Sequence, residues 1–360
     1  MRYLVTGCAG FIGWKVSELL LRSGAEVVGM DDLNDAYDVR LKQWRLETLQ
    51  SRKGFHFYQA DITNVRAVEE VFSWAKEKSS SHSEQVSLVS PQEGNRRSLR
   101  NPKPGRSEAG GPFDAVIHLA ARAGVRASVQ QPEVYFRTNG LGTLTLLEAC
   151  RQHGVRKFLL ASTSALYGRD NPTPYQEEAD TSRPLSPYAA SKKAAECLAY
   201  TYHYLHGLDV IVLRYFTVYG PAGRPDMSVF RFIRQIIEGA PVWIYGDGSQ
   251  KRDFTYVDDI VRGTLAALNL QGFEVINLGS DQPVRVRELL ERIAGCVGKP
   301  VRVEHRPAHP ADVPTTWADI QRARQKLGWS PQTPLEEGLA QAVAWYQENR
   351  SWAAQVALGE

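Results

Sequence analysis

With 360 residues, 43% of them hydrophobic and 23% charged, the chain is long enough for one large core or two domains and has the balance of an ordinary globular protein. A formal net charge of +3 over that length gives no basis for a nucleic-acid or membrane partner, and no apolar run approaches the roughly 18 residues of a membrane span. Cys8, Cys150, Cys197 and Cys296 are scattered without CxxC pairs or histidine companions, so neither a disulfide framework nor a metal site is expected, and a reducing cytoplasm is the expected setting.

Arg2 to Thr6 reads as a short buried strand running into Gly7-Cys8-Ala9-Gly10-Phe11-Ile12-Gly13, ahead of an amphipathic helix from Trp14 to Arg22. Strand, glycine turn and helix together form a phosphate-binding arrangement: glycines allow a tight turn and let a pyrophosphate reach backbone N–H groups at the positive helix end. Gly7, Gly10, Phe11, Ile12 and Gly13 are therefore the candidate cofactor turn. A second strand, Glu26 to Met30, ends in Asp31 and Asp32, where a carboxylate meets the adenosine ribose hydroxyls about 20 residues beyond the glycines. Two acids there repel a 2′-phosphate, which favours NAD over NADP.

A strand at Phe55 to Gln59 leads into Ala60-Asp61-Ile62, and a helix is expected from about Asn64 to Lys78. Residues 79 to 111 are rich in Ser, Gly, Pro and Arg and read as a disordered insertion in a connection that is normally short. Then come a strand at Phe113 to His118, a helix around Pro132 to His153, a strand at Lys157 to Ala161, a helix from about 187 to 206 and a strand at Val210 to Leu213. This alternation predicts an α/β fold: a Rossmann-type doubly wound parallel sheet with a smaller C-terminal α/β substrate domain.

The helix at 187 carries Tyr188 and Lys192, four residues apart and so on one helical face. A free phenol has a pKa of about 10, and a fixed ammonium beside it favours the phenolate that a general base needs. On an arbitrary surface helix such a pair is merely solvated, so its meaning depends on the rest of the chain.

Gly7-x-x-Gly10-Phe11-Ile12-Gly13, Asp61-Ile62, His118-Leu119-Ala120-Ala121, Ser162-Thr163-Ser164-Ala165-Leu166-Tyr167-Gly168 and Tyr188-x-x-x-Lys192 together resemble the extended short-chain dehydrogenase/reductase family of nucleotide-sugar epimerases and dehydratases. The resemblance implies NAD as cofactor, with Asp61 and Ile62 at the adenine and Leu119, Ala120 and Ala121 along it. It also implies that Lys192 contacts the nicotinamide ribose, and that Thr163 is the hydroxyl partner of Tyr188, with Ser164 beside it. The acids that 4,6-dehydratases and UDP-glucuronate decarboxylases carry at positions matching Ser164 and Ala165 are absent here.

Farther on, Phe216-Thr217-Val218-Tyr219-Gly220-Pro221 and Arg224-Pro225-Asp226-Met227 resemble the UDP-glucuronate 4-epimerase group of that family, where the arginine matching Arg224 holds the C5 carboxylate. A guanidinium suits that task because it grips a carboxylate through two parallel charge-assisted hydrogen bonds. Gly124-Val125-Arg126 resembles the same group and makes Arg126 a second candidate anion contact. The segment from Tyr245 to Asp259 resembles the family's uridine-diphosphate stretch, with Tyr245 and Arg252 toward the nucleotide, and Asp312 is expected at the uridine ribose. His309 and Thr316 depart from the galactose epimerases, which usually have Arg and often Tyr there.

These residues divide the chain into an NAD-binding domain, 1–218 plus about 257–280, and a nucleotide-sugar domain, 219–256 and 281–350. The expected activity is C4 epimerisation of a UDP-sugar, first of all UDP-glucuronate, by a homodimer formed through the helices at about 132–153 and 187–206. A UDP-glucose/UDP-galactose or N-acetylhexosamine epimerase, a decarboxylase, a dehydratase and a non-catalytic NAD-binding regulator stay open as alternatives.

Overall fold

The computed structural model describes residues 1–83, 111–308 and 310–359; most of the expected insertion and His309 lie outside the described residues. Its strands, in chain order, are β1 Arg2–Thr6, β2 Glu26–Asp31, β3 Phe55–Gln59, β4 Ala115–His118, β5 Lys157–Thr163, β6 Asp209–Tyr215, β7 Thr217–Tyr219, β8 Val242–Tyr245, β9 Lys251–Tyr256, β10 Phe273–Leu278, β11 Pro283–Arg285 and β12 Val303–Arg306. Seven of them form one sheet in the order β10-β6-β5-β4-β1-β2-β3, with every neighbouring pair parallel. Chain order reverses between β1 and β4, and the crevice beyond the carboxyl ends of two such strands is where doubly wound sheets take ligands. The other strands make a three-stranded sheet, β11-β9-β7, and the pair β12-β8.

Strand alternation explains the two layers of core. Leu4, Val28, Val116, Phe158 and Val212 point to one face of the sheet. Val5, Val27, Ile117, Leu159 and Ile211 point to the other. Both faces are covered by helices, so these strands read as nearly continuous apolar runs.

The helices are α1 Phe11–Arg22, α2 Val39–Gln50, α3 Val65–Ser83, α4 Val125–Gln130, α5 Pro132–Tyr135, α6 Gly142–His153, α7 Pro187–His206, α8 Ser228–Ile237, α9 Val257–Ala266, α10 Val286–Val297, α11 Gln321–Leu327, α12 Leu335–Glu348 and α13 Arg350–Ala353. Four points differ from the sequence reading. Helix α1 begins at Phe11, so the last two glycines of the turn lie at and inside its start. Helix α2 has no counterpart there, because its buried side includes Lys42 and Arg45 as well as Leu41, Leu46 and Leu49, which breaks the apolar period. Helix α3 runs on to Ser83, into the range assigned to the insertion. The helix expected over Pro132 to His153 is interrupted by a π-helical turn, Phe136–Leu141.

Candidate functional site

At the cofactor end the backbone fits a dinucleotide. Gly7 adopts φ +71°, and its N–H donates to the Met30 carbonyl at 2.7 Å, which ties the turn to the end of β2. A Cβ placed on Gly13 would lie 2.1 Å from the Gly7 carbonyl oxygen, and one on Gly7 would lie 2.6 Å from the Ala120 nitrogen. Only glycine permits this closeness. Gly10 caps α1 without a side-chain hydrogen bond, which leaves the positive helix end to an anion.

Asp31 is buried and accepts from the backbone N–H groups of Ala9 at 3.1 Å and Leu33 at 2.9 Å. It thus braces the glycine turn as well as facing the expected ribose position. Burial pushes its carboxyl pKa up, and the ammonium of Lys42 opposes this. Asp32 accepts from the Asn34 backbone at 3.1 Å. Both acids line a pocket with Asp61, Ile62 and the 119–121 turn.

Serine 186 caps α7 by accepting from the Ala189 N–H at 3.2 Å, Pro187 occupies the first turn, and Gly207 ends the helix at φ +67°. This fixes Tyr188 in the first turn with Lys192 one turn below. Thr163 ends β5, where its hydroxyl caps the short 3₁₀ turn Ser164–Tyr167 by accepting from Ala165 N–H at 3.2 Å. Thr163 and Tyr188 line the same cavity, and the Thr163 side chain acts on the phenol.

Burial pushes the Tyr188 phenol up from its ordinary value, while the Thr163 side chain and the Arg224 charge pull it down. Lys192 is itself lowered to about 8, mainly by burial, with Glu196 opposing the shift.

One cavity of about 380 Å³ brings together Gly7, Gly10, Phe11, Ile12, Gly13, Thr163, Ser164, Tyr188, Lys192, Thr217, Arg224, Arg252 and Asp312. The Arg224 fork is engaged: Nε donates to Asp226 Oδ1 at 3.0 Å and Nη2 to Asp226 Oδ2 at 2.5 Å, with Nη2 also 3.2 Å from the Ala123 carbonyl oxygen. Arg126 and Tyr245 are not among the residues lining the cavity. Arg126 donates to Asp312 at 2.6 Å and stacks 3.4 Å above the Tyr245 ring.

Three buried polar residues that sequence reasoning missed hold this geometry. Arg45 donates to the carbonyl oxygens of Ala9 at 3.1 Å and Ala222 at 2.6 Å, which joins the glycine turn to the loop carrying Arg224. Asn139, in the π turn, donates to Ser191 Oγ at 2.9 Å, and Ser191 Oγ donates to the Tyr188 carbonyl at 2.7 Å. An Asn-Gly pair inside a helical pattern was the available signal. Glu196, two turns below Tyr188, accepts from Ser162 Oγ at 2.6 Å and from Nε and Nη2 on one edge of the Arg214 guanidinium at 3.0 and 2.8 Å.

His118 bridges the two halves of this framework. Its Nδ1 lies 2.7 Å from Thr6 Oγ1 and its Nε2 3.0 Å from Thr143 Oγ1. Thr143 already gives its proton to the Asn139 carbonyl at 2.6 Å, so Nε2 carries the hydrogen and Thr6 donates to Nδ1. Burial lowers this imidazole to about 3 and keeps it neutral.

Glycine turn, switch-point crevice and buried tyrosine–lysine pair define a Rossmann-type dinucleotide-binding protein. The chain belongs to the GDP-mannose 4,6-dehydratase family, whose model matches residues 4–79 and 111–342. It is 50% identical over 348 residues to the UDP-glucuronate 4-epimerase of Thermodesulfobacterium geofontis, covering 96% of each chain. The crystal structure of UDP-glucuronic acid 4-epimerase from Bacillus cereus, in complex with UDP-glucuronic acid and NAD, matches with TM-score 0.83 at 33% identity over 97% of this chain and all (100%) of that one. A UDP-glucose 4-epimerase of Thermotoga maritima, with UDP-glucose, matches with TM-score 0.81 at 31% identity over 97% and 100%. Among the described residues no helix is long and apolar enough to cross a membrane.

Proposed function

We propose that the chain interconverts UDP-glucuronate and UDP-galacturonate by NAD-dependent epimerisation at C4. One observation carries this reading: Thr163, Tyr188 and Lys192 line the same cavity as Arg224 and Arg252, and that cavity opens onto the glycine turn. NAD, when bound, supplies the acceptor and donor of hydride. Gly7, Gly10 and Gly13 with the start of α1 hold its pyrophosphate, Asp31 and Asp32 its ribose, and Asp61 and Ile62 its adenine. Tyr188 takes the proton of the C4 hydroxyl through or alongside Thr163 and returns it once the 4-keto sugar has turned over in the pocket.

The 4-ketouronate is a β-keto acid and loses CO₂ when its carboxylate aligns with the carbonyl. Arg224 holds that carboxylate out of alignment. Ser164 and Ala165 bring no acid that would assist dehydration. Thr217 borders the sugar, Arg252 the diphosphate, and Arg126, Tyr245 and Asp312 the nucleotide. The division into an NAD part and a nucleotide-sugar part belongs to the same proposal, as do a cytoplasmic setting and a homodimer through α6 and α7. Phe136, Leu141, Tyr200, Tyr204 and Leu205 support the dimer, being 45 to 75% exposed in and beside those helices.

The test is to incubate the purified protein with UDP-glucuronate, without added cofactor, and follow products by NMR. UDP-galacturonate without release of CO₂ supports the reading; UDP-xylose or an accumulating 4-keto sugar would overturn it. Tyr188→Phe is expected to slow the conversion by about 10² to 10⁴, the span of a general base.

A further inference from the structure

Three observations converge on Asp312. Asp312 lines the cavity together with Arg252. Its Oδ2 accepts from Arg126 Nη2 at 2.6 Å, and the Arg126 guanidinium lies flat on Tyr245, 3.4 Å above the ring centre. Arg252 shares that lining: burial lowers its pKa and the Asp312 charge opposes this, while its Nη1 donates to the Lys251 carbonyl at 2.8 Å. One carboxylate thus pairs with one guanidinium and shares the cavity lining with a second, and the paired guanidinium lies over the Tyr245 ring.

Resting on the reading of this cavity as a UDP-sugar site, we propose that Asp312 is an internal counter-ion standing in for the diphosphate, and that a nucleotide diphosphate binds by exchanging with it.

Charge makes the exchange favourable. Arg126 and Arg252 carry two positive charges against the one negative charge of Asp312, whereas a diphosphate brings two and offers several acceptor oxygens, which suits the forked donors of arginine better than one carboxylate. Exposure makes it feasible. The Arg126 and Asp312 side chains are 32% and 26% exposed, so this is a solvent-screened pair, unlike the Arg214–Glu196 pair at 4% and 6%.

The pair also joins distant parts of the chain, since Arg126 stands on α4, just after the turn that follows β4, and Asp312 lies 186 residues later. Releasing Asp312 therefore uncouples these two segments and lets Arg126 leave the Tyr245 face beside the cavity, which a pyrimidine ring can then take. Phosphate and base become linked in selection: a nucleoside without phosphates cannot displace the carboxylate and leaves the ring covered. Asp312 on this account opposes binding of the phosphates, whereas a residue that only held the uridine ribose would have no effect on a ligand lacking ribose.

Inorganic pyrophosphate is such a ligand. Isothermal titration of the full-length protein with its bound cofactor is to be run for wild type and Asp312→Asn against pyrophosphate and UDP. Removing one partly exposed competing charge is expected to tighten pyrophosphate binding about tenfold. Adding Arg126→Met to that variant is expected to abolish the gain, while a matched thermal melt checks the fold. Pyrophosphate binding no tighter to Asp312→Asn than to wild type, including no binding to either, overturns the exchange even if UDP binds normally. Failure of wild type to bind UDP overturns instead the nucleotide-sugar reading on which the proposal rests.

Discussion

Lys192 places a limit on the working pH. Its ammonium is buried and its pKa lowered to about 8, so raising the pH through that value removes the proton. The positive charge one turn below Tyr188 is then lost, and turnover is expected to fall above that value in a one-proton step. A rate that keeps rising through the same range, followed by NMR at saturating substrate, contradicts this role. Arg224 bears on the choice of sugar. Charge-assisted hydrogen bonds are worth about 1.5 to 3 kcal/mol, so Arg224→Ala is expected to lower kcat/KM for UDP-glucuronate by about 10- to 100-fold and to change any UDP-glucose turnover much less. Equal losses on the two substrates show that Arg224 does not read the carboxylate. Tyr188, Lys192 and the glycines were legible in the sequence because their task fixes their spacing along the chain. Arg45, Asn139 and Glu196 were not, because each is a buried polar residue whose side-chain partners come from 8 to 178, 17 to 52 and 18 to 34 residues away.

Among the elements, the glycine turn and α1 tolerate least change. The atom that a Gly13 side chain would strike is the Gly7 backbone oxygen, which cannot swing aside as a flexible side chain would. Gly13→Ala is therefore expected to cost about 1 to 3 kcal/mol of stability, as overpacked sites do, and to yield protein without bound nucleotide. A thermal melt and the absorbance of nucleotide released on denaturation check both; unchanged retention of NAD would show that the turn relaxes freely. Strong periods made α7 legible to the residue, because Ser186, Pro187 and Gly207 punctuate it. Helix α2 escaped detection since Lys42 and Arg45 occupy its buried face. The π turn at 136–141 escaped because one extra residue per turn leaves the apolar pattern on either side intact.

At the scale of the molecule, alternation of strands and helices was enough to foresee the parallel sheet, whose strands are buried on both faces. The small sheets were illegible: β7 and β11 have three residues each, and β12 has four, all exposed, so none carries an alternation to read. The exposed apolar residues beside α6 and α7 lead to an expectation of their own. Light scattering is expected to give twice the 40.2 kDa chain mass for wild type and a single chain for the pair Tyr204→Asp and Leu205→Asp; a monomeric wild type would remove the dimer from the account. In the proposed reaction hydride leaves C4 and returns to the same carbon without passing through solvent, and Tyr188 handles only the hydroxyl proton. Conversion of UDP-glucuronate in D₂O, with the product examined by proton NMR, tests it most directly. UDP-galacturonate with ordinary hydrogen retained at C4 is expected, and deuterium at C4 would rule out direct return of the hydride.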